Sequence, residues 1–195
     1  MRKLVLFTLI AAALLLAGCT TTGVTRLGDN QSIDLSGYWN DTDIQIVSKA
    51  LIKDCISSSW LRSFKGKPVI IIGRIINSSS EHIDTAIISK KVEVALIESN
   101  LATTVADYDN RDQVIDERTH QQYYASEDTA ALLGNETGAD YFLQGSVRTN
   151  LDQVKGKAVR TYYVSLELID IETSAKVWVG EKTVKKYITK AKYTF

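Results

Sequence analysis

The sequence predicts an α/β (α+β) fold: a single small domain whose mostly antiparallel sheet ends in a C-terminal β-meander and is flanked by helices. Three observations lead to this prediction. Residues 69–76 (VIIIGRII) form a short, β-branched apolar run that is typical of a buried strand. Apolar residues recur at helical spacing on both sides of that run. The last third of the chain alternates apolar and polar residues, with turn signals between the runs.

The chain opens with a segment that is typical of an export signal. Arg2 and Lys3 precede an almost purely apolar run over residues 4–16, and small residues follow before Cys19. This run is shorter than the about 20 apolar residues that a membrane-spanning helix needs. We therefore predict that residues 1–18 are a signal peptide.

The end of this segment, residues 16–19 (LAGC), resembles the bacterial lipobox. In that motif, small residues let the backbone enter the peptidase, and the cysteine thiol accepts a diacylglyceryl group before cleavage. Each buried CH₂ contributes about 0.8 kcal/mol, so two or three acyl chains such as palmitate hold a protein on a membrane. Thr20, in place of an aspartate, resembles the pattern of lipoproteins sorted to the outer membrane. The alternative is an ordinary signal peptide with a chance cysteine.

Composition excludes several function classes. Cleavage before Cys19 would leave 177 residues, enough for one domain with its own core. The chain has 23 basic and 23 acidic residues, so it lacks the positive charge that nucleic-acid binding requires. With Cys19 lipidated, Cys55 has no disulfide partner. Its place on an apolar helical spacing predicts a buried, inert side chain rather than a nucleophile.

The first half of the mature chain predicts a tether, a helix and a strand. Residues 19–35 are polar and turn-rich and predict a lipidated tether, which spans at most about 60 Å when fully extended. The globular domain is predicted over residues 36–195. A helix is expected near residues 43–57, capped by Asp41 or Thr42, and its apolar face contains Ile44, Val47, Leu51 and Cys55. The strand at residues 69–76 follows.

The middle of the chain predicts more helix. Residues 83–100 predict a helix that begins after Asp84, and the residues expected on its buried face are Ile83, Ile87, Val94 and Ile97. Residues 101–107 predict a short strand. Residues 108–140 are helical in composition and predict two helices, the second of which ends at Gly134 or Gly138.

The last third predicts the meander. Residues 141–150 and 158–172 predict two strands that are joined by a tight turn. A turn at residues 172–174 leads to the last strand, residues 176–188. The late lysines alternate with apolar residues and are typical of a strand edge or a solvated tail.

The sequence contains no recognisable catalytic or cofactor motif. It has no P-loop, no glycine-rich dinucleotide fingerprint, no nucleophile elbow and no zinc-ligand spacing. We therefore predict no enzyme, no metal and no cofactor. The best enzyme-like cluster is Glu81 with His82, if the fold brings them near Asp116, Glu117 and His120. Alternatively, Glu81 precedes a helix, where its charge favours the helix dipole.

Aromatic residues indicate binding more than catalysis. Trp39 and Trp60 flank the first helix, and Tyr123 and Tyr124 close a charged one. Such residues anchor interfaces, although they are equally common in cores. The residues that we consider candidates for partner contact are Trp39, Glu81, His82, Glu117, Arg118 and Tyr123.

An ordered set of short motifs resembles one family. The motifs are SGYWND (36–41), PVI (68–70), SEHI (80–83), ER with QQ (117–118, 121–122), ETGADY (136–141), LQG (143–145) and KVW (176–178). Their order and spacing are similar to those of the LpoB-type lipoproteins, which activate penicillin-binding proteins. The resemblance covers residues 36–188, nearly the whole predicted domain.

This resemblance implies a non-enzymatic periplasmic lipoprotein. It implies a fold similar to the N-terminal domain of TolB and to CsgG-like lipoproteins, and a bifunctional penicillin-binding protein as partner. The best-known activator has a long proline-rich tether, whereas this chain has one proline and a short predicted tether. The alternative is a CsgG-like oligomeric component of envelope assembly or secretion, in which the lysine-rich last strand pairs with a neighbour.

The lipid anchor is directly testable. Mass spectrometry of the protein purified from membranes should find a mature chain that begins at Cys19 and carries the mass of its acyl groups. Cys19→Ser should move the protein from the membrane fraction to the soluble fraction. A bare amino terminus in the native protein would contradict the prediction.

Overall fold

The computed structural model describes residues 23–28 and 31–189, so the predicted signal peptide and Cys19 lie outside the described residues. The chain divides into two units after Gln31. All the helices and strands below belong to the second unit.

Within the described residues, five strands form one mixed sheet in the order β2-β1-β3-β4-β5. The strands are β1 (Val69–Asn77), β2 (Thr103–Val105), β3 (Tyr141–Val154), β4 (Lys157–Asp170) and β5 (Lys176–Thr189). β1 pairs in parallel with both β2 and β3, whereas β3, β4 and β5 are antiparallel. The predicted fold class and its C-terminal β-meander are confirmed. The parallel pairings arise because α3 connects β1 to β2 and α4 lies between β2 and β3, so that each of these strands starts from the same end of the sheet.

The described residues form four helices: α1 (Asp41–Ser57), α2 (Ser59–Ser63), α3 (Ala86–Ser99) and α4 (Tyr108–Tyr124). α1 packs on β5 and on α3, and α3 packs on β1 and β2. The core lies between these two helices and one face of the sheet. Its fully buried side chains include Val47, Leu51, Ile88, Val92, Leu143, Tyr162 and Val164.

The predicted helix near residues 43–57 is α1, but it begins two residues earlier, at Asp41, with a different cap. The Asn40 side chain accepts a hydrogen bond from the Asp43 amide, and the Asp43 carboxylate accepts one from the Asn40 amide. This reciprocal capping box satisfies two amide hydrogens at the helix start. The cap is therefore Asn40 rather than Asp41 or Thr42, and Asp41 lies in the first turn, where its charge favours the helix dipole.

The predicted face of α3 is wrong. Ile88, Val92 and Leu96, four residues apart, are buried, whereas the expected side chains at Ile87, Val94 and Ile97 are exposed. The helix carries apolar residues on most of its sides, so their spacing is compatible with two overlapping buried faces. Packing against the sheet determines which of the two is buried. Ile83 is buried, but it precedes the helix.

The second helix predicted within residues 108–140 is also wrong. α4 ends at Tyr124, and residues 126–140 form turns and extended chain without a helix. Gly134 lies in this segment with φ of +73°, a left-handed conformation that glycine adopts without steric cost. The segment turns back along α4 and bonds to its side chains instead of forming its own helical hydrogen bonds.

Cys55 is buried, and we predict that it governs alkaline stability. Its side chain is 2% exposed, and burial raises the pKa of the thiol from 9.0 to about 12. Above pH 9 the unfolded chain loses this proton while the folded chain retains it, so stability falls as pH rises. From pH 8 to pH 10.5 this one group should remove about 2 kcal/mol of unfolding free energy.

Cys55→Ala isolates that effect. The variant should be less stable than the wild type at pH 8, because it leaves a small cavity. It should nevertheless lose less stability between pH 8 and pH 10.5, as measured by urea unfolding at each pH. Equal losses in the two proteins would contradict the prediction.

Candidate functional site

Glu81 lies at the centre of a buried polar cluster, not at an open catalytic site. Its carboxylate accepts hydrogen bonds from the Tyr162 hydroxyl at 2.8 and 2.9 Å and from the Trp39 amide at 3.1 Å. The Arg160 guanidinium lies 3.1 Å away, and the two side chains of this ion pair are only 10% and 13% exposed. Burial and the hydrogen bond to Glu81 raise the pKa of Tyr162, so its hydroxyl remains a donor. We call Glu81, Arg160, Tyr162 and Trp39 the Glu81 cluster.

Gly37 holds the chain entering the domain against this cluster. Its carbonyl accepts a hydrogen bond of 3.0 Å from Arg160 and a longer one, 3.4 Å, from Tyr162. A Cβ at position 37 would lie 2.2 Å from the Ile188 side chain, so a larger residue would have to displace that side chain. The Arg160 guanidinium also stacks over the Tyr38 ring, 4.2 Å from its centroid.

A second ion pair joins the start of α1 to β5. Lys186 lies 2.6 Å from the buried Asp43 carboxylate and donates a 2.8 Å hydrogen bond to the Tyr38 carbonyl. One of the late lysines that the sequence assigned to a strand edge or a solvated tail therefore holds the fold together. Arg160, Tyr162 and Lys186 were all missed at the sequence level. The sequence did contain one signal for Arg160. In the alternating pattern of β4, this residue occupies a position that faces the core.

The enzyme-like cluster does not form a metal-binding group. His82 is exposed beside Glu81, whereas Asp116, Glu117 and His120 lie on α4. Among residues 23–28 and 31–189, no three His, Cys, Asp or Glu side chains come close enough to hold a metal ion. The Glu81 carboxylate is occupied by the donors of its own cluster, so its chemical role is to hold the fold together.

α4 and the segment after it form a separate feature, which we call the α4 arm (residues 107–136). The segment after the helix is bonded to one side of α4 by side chains. Gln121 and Gln122 bond to the backbone of Ala131, and Arg118 pairs with Glu136 at 2.8 Å. Arg111 lies 3.9 Å from the same carboxylate. The arm is therefore held together by its own hydrogen bonds and ion pairs instead of by packing in the hydrophobic core.

Several large apolar side chains of the α4 arm are exposed. Tyr123 and Tyr124 are 79% and 77% exposed, and Leu132 is 70% exposed. The Tyr124 ring lies 4.4 Å from the His120 ring, and Tyr123 lies beside it at 6.5 Å. Three of the candidate contact residues, Glu117, Arg118 and Tyr123, belong to this arm. Trp39 and Glu81 belong to the Glu81 cluster instead, with the Trp39 ring edge-on to Tyr162 at 5.1 Å.

The face of the sheet opposite α1 and α3 carries a shallow cavity. Its volume is about 420 Å³, and its lining includes Ile76, Gln144, Ser146, Arg148, Tyr163 and Glu181. These residues alternate along the strands with the buried ones. The cavity is broad and open, without a buried group to orient a ligand.

A family model described as the peptidoglycan-synthase activator LpoB matches residues 43–184. The chain belongs to the LpoB family. The match covers most of α1 through most of β5, including Glu81, Arg160 and Tyr162 of the Glu81 cluster and the whole α4 arm. The family resemblance noted in the sequence is thereby confirmed.

Solved structures show more distant similarity. The LpoB C-terminal domains from Salmonella enterica and Escherichia coli are 16% and 15% identical, with TM-scores of 0.48 and 0.47; each alignment covers 74% of this chain and 99% of that domain. Lipoprotein GNA1162 from Neisseria meningitidis is 18% identical, with a TM-score of 0.39, over 62% of this chain and 83% of that one. No curated protein matches the chain. The assignment therefore depends on the family model.

Family membership has two consequences for the sequence predictions. LpoB proteins are regulatory activators, which supports a non-enzymatic role at the level of the family. The CsgG-like alternative receives no support, since the family that matches is an activator family. Within the described part of the chain, no helix combines the length and apolar character needed to cross a bilayer.

The Glu81 cluster predicts a large stability loss for Glu81→Gln. Removing the carboxylate charge leaves the buried Arg160 cation without its partner, which should cost about 3 kcal/mol of unfolding free energy. Glu167→Gln is the matched control, because Glu167 pairs with the more exposed Lys176 at 2.5 Å. The control should cost less than about 1 kcal/mol.

Urea unfolding followed by tryptophan fluorescence measures both variants. Combining Glu81→Gln with Arg160→Gln should cost less than the sum of the single changes, because each single change leaves the other group unpaired. Additive losses, or similar losses for Glu81→Gln and Glu167→Gln, would show that the domain does not depend on this cluster.

Proposed function

We propose that this protein is a lipoprotein that is anchored to the periplasmic face of the outer membrane and activates a bifunctional penicillin-binding protein. The family match over residues 43–184 carries the proposal. The lipobox resemblance at residues 16–19 supports the anchor and its location. The protein acts by binding, and the synthase performs the chemistry.

The physical basis of activation is a difference in affinity. An activator raises the synthase rate only if it binds the active conformation more tightly than the idle one. The structure supports such a role because the domain has a rigid core and a separate exposed arm. The polar groups of the Glu81 cluster bond to one another, whereas the side chains of the arm are exposed and available for contact.

The short predicted tether restricts the geometry of the complex. Residues 19–35 extend at most about 60 Å and as a flexible coil only about 20–25 Å. The synthase region that the domain contacts must therefore lie near the outer membrane. This limit on distance depends on the proposed anchor and function, so it does not apply if they are wrong.

Reconstitution tests the function directly. The mature lipidated chain, in detergent micelles with the bifunctional synthase from the same organism and its lipid-linked precursor, should raise the rate of glycan polymerisation. We expect at least about a fivefold increase, the lower end of ordinary allosteric coupling. The measurement is the time course of polymer formation.

Two controls make the result interpretable. An unrelated lipoprotein with the same anchor, at the same concentration, should leave the rate unchanged. The synthase alone must be active under these conditions. With both controls satisfied, an unchanged rate in the presence of this chain would refute the proposed function.

A further inference from the structure

We propose that the α4 arm is the surface that docks on the synthase, and that it binds a basic patch with an apolar hollow for Tyr123. This inference rests on the proposed function, since it names the partner-binding surface of the proposed activator. Three features carry it: the two-sided arrangement of the arm, its charge, and its exposed aromatic side chains.

Two sides of α4 differ in what they contact. Arg111, Arg118 and Gln122, seven and four residues apart, lie on the side that holds the segment after the helix. At about 100° per residue, Asp112, Asp116 and Tyr123 fall within roughly 40° of one another on another side. None of these three side chains is bonded to that segment, and all three are exposed. The second side therefore remains uncovered.

The arm concentrates negative charge in a chain with no net charge. Residues 107–136 contain eight acidic residues and only two basic ones, the arginines, whereas the whole chain has a formal charge of zero. Both arginines are directed at Glu136. No cation among the described residues pairs with Asp112 or Asp116. Since like charges four residues apart destabilise a helix, this pair opposes the stability of the isolated arm.

The exposed aromatic and aliphatic side chains supply the contact energy. Tyr123 lies on the same side of α4 as the two carboxylates, about two and three helical turns from them. The Tyr124 ring lies 6.5 Å from the Tyr123 ring, and Leu132 is exposed elsewhere on the arm. Tyrosine is enriched among the residues that dominate binding energy, because it offers a large rigid surface with a polar end. The surrounding carboxylates then require cations on the partner to give electrostatic complementarity.

The charge of the arm selects among classes of partner. Anionic lipid surfaces and nucleic acids repel a surface of this sign. On β5 of a second copy, two of the four lysines are already paired, Lys176 with Glu167 and Lys186 with Asp43. The other two, Lys182 and Lys185, are three residues apart and therefore point to opposite faces of the strand. A basic surface on another protein remains the best match.

The test measures binding of the mature lipidated chain in micelles to the purified synthase from the same organism by biolayer interferometry. One variant combines Asp112→Asn with Asp116→Asn, and a second carries Tyr123→Ala. The charge control combines Asp152→Asn with Glu172→Gln, two exposed carboxylates outside the arm. The aromatic control is Tyr187→Ala, an exposed tyrosine on β5.

Each arm variant should weaken binding about tenfold or more, the loss typical of truncated interface anchors. The Asp112/Asp116 variant should also reduce the dependence of the association rate on salt. Both controls should bind like the wild type. Melting curves of the arm variants should show no loss of stability, because these side chains are exposed and the Asp112/Asp116 variant only removes a repulsion.

The outcomes separate the two proposals. If the wild type binds and activates the synthase and the arm variants do so equally well, the docking surface is wrong while the function stands. If the wild type neither binds nor activates, the proposed function fails. If light scattering shows self-association that the Asp112/Asp116 variant abolishes, the arm binds a second copy and the partner assignment is overturned.

Discussion

The ion pair between Glu81 and Arg160 is the interaction on which the rest of the domain depends. It joins the loop after β1 to the first turn-proximal residues of β4, and through Gly37 and Trp39 it also holds the chain that enters α1. Burying two charges costs several kcal/mol per ion unless further hydrogen bonds satisfy them. Tyr162 and the Trp39 amide supply those bonds to Glu81, and the Gly37 carbonyl supplies one to Arg160. Residues that follow the predicted tether are thereby fixed to the sheet.

The strands could be predicted from the sequence, because alternation and turn chemistry are local signals. The tight turn between β3 and β4 contains Gly156 with φ of +80°, and Ser174 has φ of +60° between β4 and β5. The face of α3 could not be predicted, because apolar residues surround the helix and the choice between faces is made by the sheet. The partners of Glu81 were missed for a related reason. Arg160 lies far away in sequence, and only strand register brings the two together.

The candidate contact residues show a similar limit. In the sequence, Trp39 and Tyr123 are equally good candidates for partner contact, since both are large aromatic residues near polar ones. In the structure, Trp39 packs on Tyr162 beside the core, whereas Tyr123 lies exposed on the α4 arm. Local sequence does not distinguish a tyrosine that fills a core from one that faces solvent. In the arm, the segment after α4 bonds to Arg118, Gln121 and Gln122, and these bonds replaced the second helix that composition had favoured.

The internal bonds of the arm matter for activation as well as for structure. A fivefold activation requires about 1 kcal/mol of differential binding, whereas moving a synthase from 1:99 to 99:1 in favour of its active conformation requires about 5.5 kcal/mol. A surface with a few anchor residues, each contributing about 2 kcal/mol or more, supplies the larger of these free energies only if little free energy is lost in ordering the arm on binding. Glu136 and the two glutamines hold the segment against α4 before any partner arrives. If the arm is the docking surface, these internal bonds reduce the cost of ordering it on binding, and more of the contact energy remains for the difference between the two synthase conformations.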